Sequence, residues 1–217
     1  MSSRLEYQPF YRRNLPHIQP TGATFFITTR LHGSLPSEVI LRLRDETERR
    51  LQIIEATADP ADKAELLYRV EKRYFGRFDD LLDAAAEGPD WLRDPRIAGI
   101  VCDVLHNRDT ITYDLIAYCV MPNHLHVVFT PLLRDADNYH SLSRIMHVMK
   151  GYTAYEANDL LVRKGTFWQG ESYDHFVRDA AELQRIVYYV IWNPVKAGLV
   201  AEWTDWPWTY WKYASAM

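Results

Sequence analysis

Five stretches of the chain place apolar residues three or four positions apart, the spacing that lines one face of an α-helix. They hold Ile40, Leu43, Thr47, Leu51 and Ile54; Leu67, Val70 and Tyr74; Ile97, Ile100, Val101, Val104 and Leu105; Ile145, Val148, Met149 and Tyr152; and Leu183, Ile186, Val187, Val190 and Ile191. Pro36 opens the first helix near Ser37 and Asp59-Pro60 breaks it. The second helix runs toward Phe78, and Leu81 to Ala86 reads as a separate short helical piece ended at Gly88-Pro89. Pro95 starts the third, the fourth runs from about Ser141 to Val162, and the last spans Asp179 to Asn193.

Between these stretches the period changes. Ala23 to Leu31 is rich in aromatic and β-branched residues and predicts a strand. Tyr113 to Val120 is almost wholly apolar, as in a central strand covered on both faces. His124 to Thr130 follows after the short connection Met121-Pro122-Asn123, so the two strands form an antiparallel hairpin. Phe167 to Val177 is aromatic and partly extended. Residues 3–20 read as an irregular arm, and Trp203, Trp206, Trp208 and Trp211 as a tail laid over the core. The element order predicts an α+β fold, an antiparallel sheet with helices on one side. With no repeat or flexible linker, residues 1–217 read as one domain. It has an arm at 1–20, a helical insertion at about 36–95 and a Trp-rich tail at 200–217.

A chain of 217 residues, 47% hydrophobic, can bury a sizeable core unaided. Its two cysteines, Cys102 and Cys119, are too few for a disulfide framework or a four-thiolate zinc site, which points to a reducing, cytoplasmic setting. No apolar run is long enough to span a membrane, and the first seven residues are polar, so neither a membrane partner nor a secretory signal is expected. The net charge of -4 hides a partition. Residues 1–44 carry six basic and two acidic side chains, net +4, whereas residues 45–114 carry ten and seventeen, net -7. Phosphate binding needs a basic face, not a basic average, so this balance leaves nucleic acid open beside an ordinary acidic surface.

The chemistry concentrates in a few residues. His124 and His126 alternate with Leu125 in a strand, so both imidazoles project from one face and can converge on one ion. A solvated face would also carry such a pair, but the apolar flanks place it in a core hairpin, where buried imidazoles need partners. Asn193 offers a neutral oxygen as a third ligand, and Tyr189, four residues earlier, stacks on the same helical face. A phenol beside a metal is an activated nucleophile. Tyr189 can equally be a core tyrosine, Asn193-Pro194 a helix stop, and Tyr188, about 100° round the helix, packs elsewhere.

MPNHLHVVF looks like the His-hydrophobic-His motif of the single-tyrosine HUH transposases, the family of the IS200-like transposases, and YYVIWNPVKAGLV resembles their nucleophile helix. YRRNLPH, YFGRFDDLLD with WLRDPRIA, and FWQGESYDHFVRD are similar to the REP-associated tyrosine transposase branch, so the likeness runs from about Tyr11 to Trp208. This resemblance implies a ferredoxin-like antiparallel sheet, to which the helical insertion is an elaboration. It implies a divalent metal, Mg²⁺ or Mn²⁺, on His124, His126 and Asn193, with Tyr189 as nucleophile. It implies single-stranded DNA folded as a palindromic hairpin, cut and rejoined through a 5′-phosphotyrosine, by a monomer or a homodimer.

Candidate DNA contacts are the basic arm, Arg4, Arg12 and Arg13, which is otherwise a solvated tail; Lys150, Arg163 and Lys164 near the fourth helix; and the polar-aromatic cluster Trp168, Gln169, Tyr173, His175 and Arg178, which stacks a base or shapes the pocket. Tyr173 is the rival nucleophile, without a ligand one helical turn away. Two other readings compete. One is a domesticated palindrome-binding protein without catalysis. The other is a small-molecule hydrolase or oxygenase whose third ligand is His140, His147 or His175.

Overall fold

β-branched and aromatic residues build the sheet, and helix-period stripes cover it. The computed structural model describes residues 10–12, 16–18, 20–85 and 87–214. Two compact units emerge, one of residues 1–31 with 90–217 and the other of His32–Pro89.

In the larger unit, β3 (Phe25–Arg30), β4 (Tyr113–Val120), β5 (His124–Pro131), β6 (Tyr173–Phe176) and β7 (Thr209–Trp211) make one antiparallel sheet in the order β6-β3-β5-β4-β7. On one face Phe25 and Ile27 of β3, Leu115 and Val120 of β4, and Leu125, Val127 and Phe129 of β5 pack with α3 (Pro95–Arg108) and α4 (Leu142–Leu160). Ile97, Val101 and Leu105 of α3 and Leu142, Ile145 and Met149 of α4 complete this core. Asp94 caps α3 by accepting from the Arg96 amide at 2.9 Å, and Ser141 caps α4 by accepting from the Arg144 amide.

The other face of the sheet is covered too. Tyr189 of α5 (Ala180–Lys196) sets its ring against Phe26 and His126, which point away from Ile27 and Val127. Helices on both faces correct the expectation of helices on one side, for a reason visible in β4 and β5: both are buried on both faces.

Three further expectations change. The tail contributes a strand, since β7 pairs with β4 through Ala117, Tyr118 and Cys119. Trp206 Nε1 donates to the Val120 carbonyl at 2.9 Å, and Trp208 packs on the core. The arm is not wholly irregular, because β1 (Phe10–Arg12) pairs with β2 (Pro16–Ile18). α5 continues through Pro194 to Lys196, past the expected stop at Asn193. The partly extended segment 167–177 holds the short strand β6, as its composition predicts.

The smaller unit is a pair of helices, α1 (Ser37–Thr57) and α2 (Pro60–Asp83). Asp59 caps α2, accepting from the Ala61 amide at 2.8 Å with Pro60 in the first turn. Leu35, Ile40 and Leu82 form its core, flanked by Phe78, Leu81 and Ala85. The piece expected at Leu81–Ala86 is the end of α2, which runs unbroken to Asp83. Among the described residues no helix is long and apolar enough to cross a membrane.

Candidate active site

β5 lies between β3 and β4, so its outward row is framed on both sides. Register places His124 opposite Arg30, and His126 opposite Thr28 of β3 and Cys119 of β4. Both imidazoles are fully buried. The His124 Nδ1 donates to Asn123 Oδ1 at 2.6 Å, and His126 Nδ1 is hydrogen-bonded to Thr28 Oγ1 at 2.7 Å. These contacts turn the two Nε2 atoms toward each other, 3.1 Å apart. An amide oxygen can only accept, so the His124 proton sits on Nδ1 and its Nε2 presents a lone pair to His126. Two nitrogens bound to one ion at ~2.1 Å and at right angles stand about 3.0 Å apart, so the pair suits a divalent cation. Each Nδ1 is held by an oxygen, the outer contact that orients a metal-ligating histidine.

α5 brings the phenol. Asp179 caps it, accepting from the Glu182 amide at 2.7 Å. The half-buried Tyr189 ring lies 5.8 Å from the His126 ring, at an interplanar angle of 67°. Asn193, one turn further along the same stripe, is fully buried, which holds because the helix persists through Pro194. Tyr188 does not pack inside; it is 59% exposed and stacks on Trp192. Tyr173 lies on the same face as Thr28 by register. Phe26 contacts both tyrosines, with ring centroids 6.3 Å from Tyr173 and 6.2 Å from Tyr189. Tyr189 is in ring contact with His126.

The other candidates divide. Arg4 and Arg13 lie outside the described residues, as does the Arg12 side chain. Lys150 holds its own chain: Nζ donates to the carbonyls of Gln169 and Gly170 and to Ser172 Oγ. Arg163 donates to Asn158 Oδ1 at 2.6 Å and places its guanidinium 3.9 Å from the Trp91 ring centroid. Lys164 is exposed. Trp168 belongs to the core, 4% exposed, with Nε1 donating to Thr153 Oγ1 at 2.7 Å, so it offers no face to a base. The Gln169 amide donates to the Arg30 carbonyl at 2.8 Å. His175 and Arg178 both bond the buried Glu182, at 3.3 and 3.2 Å. Burial pushes the His175 pKa down, against the pull of Glu182.

Among the described residues no third histidine joins His124 and His126, so the three-histidine hydrolase loses its site. Sequence reasoning passed over Thr28 and Asn123, which orient the imidazoles, Phe26, which buttresses Tyr189, and Glu182. It also passed over Lys196, whose Nζ lies 5.5 Å from the Tyr189 ring centroid. Helical spacing carries a signal for Lys196, seven residues after Tyr189. Nothing local marks Thr28, which only the β3–β5 register brings to His126.

Residues 95–192 match the family described as Transposase IS200 like, a span that includes His124, His126 and Tyr189. A putative REP-associated tyrosine transposase of Haemophilus influenzae is 29% identical over 105 residues, 45% of this chain and 58% of that protein. The REP-associated tyrosine transposase of Escherichia coli K12 is 32% identical over 95 residues, 44% of this chain and 52% of that protein. The chain thus spans little more than half the length of the curated relatives it matches. A solved structure, described as a REP-associated tyrosine transposase bound to a REP hairpin, superposes with a TM-score of 0.54 at 17% identity. It covers 95% of this chain and 84% of that one, and it shows a shared fold.

Proposed function

We propose, from the match of residues 95–192 to the IS200-like transposase family, that this chain is a metal-dependent transposase and endonuclease that cuts and rejoins single-stranded DNA at palindromic hairpins. The observation that carries this reading is the ring contact of Tyr189 with His126, 5.8 Å between centroids. His124, His126 and Asn193 would hold the cation, Mg²⁺ or Mn²⁺. When bound, that cation supplies positive charge to polarise the scissile phosphate.

Tyr189 loses its phenolic proton, and its oxygen forms a bond to phosphorus. The bond from phosphorus to the 3′-oxygen breaks, and that oxygen takes a proton to become a free 3′-hydroxyl. The phosphotyrosine keeps the 5′ end and conserves the bond, so attack by a 3′-hydroxyl reverses the step without a nucleotide cofactor. Phe26, wedged beside the phenol, limits its swing and keeps it at the imidazole pair. The names of the relatives, and of the hairpin-bound structure in particular, support a folded REP-type palindrome as substrate.

A labelled hairpin oligonucleotide with single-stranded flanks, incubated with the protein and Mn²⁺, tests the reading on a denaturing gel. A covalent adduct is expected from the wild-type chain and none from Tyr189→Phe. Tight hairpin binding without adduct in any divalent metal would leave only the non-catalytic palindrome binder.

A further inference from the structure

Tyr189, Asn193 and Lys196 fall at i, i+4 and i+7 on α5, and therefore within one narrow stripe of the helix. The first faces the imidazole pair, the second is fully buried, and the third lies at the exposed last turn. A lysine there gains from the helix dipole in any rotamer. This one folds back along the stripe, with Nζ 5.5 Å from the centre of the Tyr189 ring.

We propose that Lys196 is a further catalytic residue, a cation that grips a non-bridging oxygen of the phosphate attacked by Tyr189. The inference rests on the assignment of Tyr189 as nucleophile. A phosphate poised for attack sits within ~3.5 Å of the phenol oxygen. An ammonium on the face of that same ring can reach such a phosphate by rotating its long side chain, and it pairs with the anionic oxygens at about 2.8 Å. Its charge opposes the negative charge that gathers on those oxygens as the new bond forms. Lys196 lies four residues beyond the segment that matches the family.

The test pairs an enzyme substitution with a substrate substitution. Lys196→Gln is expected to slow adduct formation on an ordinary hairpin by roughly 10²-fold, the scale of losing one preorganised donor to a developing oxyanion. Lys196→Arg should restore most of that rate. On a hairpin carrying a neutral methylphosphonate at the scissile position, wild type and Lys196→Gln should react within about twofold of each other, since no anionic oxygen remains to be paired. A purely structural lysine would slow both substrates alike, and that result overturns the inference. So does a Lys196→Gln chain as fast as wild type on the ordinary hairpin, with Tyr189 chemistry intact. Failure of the wild-type chain to form any adduct overturns the assignment of Tyr189 as well.

Discussion

Thr28 Oγ1 sits 2.7 Å from His126 Nδ1, across the β3–β5 ladder and 98 residues away in the chain. That hydroxyl fixes which imidazole nitrogen would face a cation bound by the pair. Thr28→Val keeps the volume and the strand preference but removes the partner. Mn²⁺ affinity is expected to fall about 10- to 100-fold, the usual effect of losing such an outer contact. Titration calorimetry with Mn²⁺ reads it directly, and unchanged affinity would show that the hydroxyl does not orient a metal ligand.

Lys150 ties α4 to the segment Gln169–Ser172 through three acceptors. Bonds from a charged donor are each worth ~1.5–3 kcal/mol. Lys150→Met keeps the apolar stem and drops the ammonium. Amide hydrogen exchange within residues 169–172 should accelerate about tenfold or more, with α4 itself unchanged. If Lys150 tracks DNA instead, that exchange stays as in the wild type and hairpin affinity falls.

His175 predicts a pH dependence. Its pKa lies below the usual histidine value because burial disfavours the charged ring, with Arg178 adding to the shift and Glu182 and Asp174 opposing it. The unfolded chain therefore takes up this proton at a higher pH than the folded one. The stability contribution is complete above about pH 6.5 and is lost as the pH falls below it. His175→Gln should flatten the loss of stability between roughly pH 7 and pH 5. Urea midpoints for both chains across that range test it, and parallel curves would refute the assignment.

The pairing of residues in the candidate site was legible because it repeats at short range. His-x-His follows the two-residue period of a strand, and Tyr189 and Asn193 follow the turn of a helix, so local rules place each pair. Chain order also predicted the β4–β5 hairpin and its register-setting connection. What escaped depends on partners distant in sequence. Trp168 looked like a stacking platform beside polar neighbours, yet Thr153 and the core claim it. Lys150 and Arg163 looked like phosphate contacts, yet loop carbonyls, Asn158 and Trp91 occupy them. Pro194 looked like a stop, but α5 ends a turn later. The proline costs one amide bond, while the Ala197 and Leu199 amides still close onto the Asn193 and Pro194 carbonyls.

The short strand β7 covers the outer edge of β4, a strand whose residues are nearly all buried and apolar. Without that three-residue cover, β4 would present a row of unsatisfied amides and carbonyls backed by hydrophobic side chains, a template for uncontrolled joining to other chains. Shortening the protein from its C-terminus would therefore cost solubility before it touched His124, His126 or Tyr189.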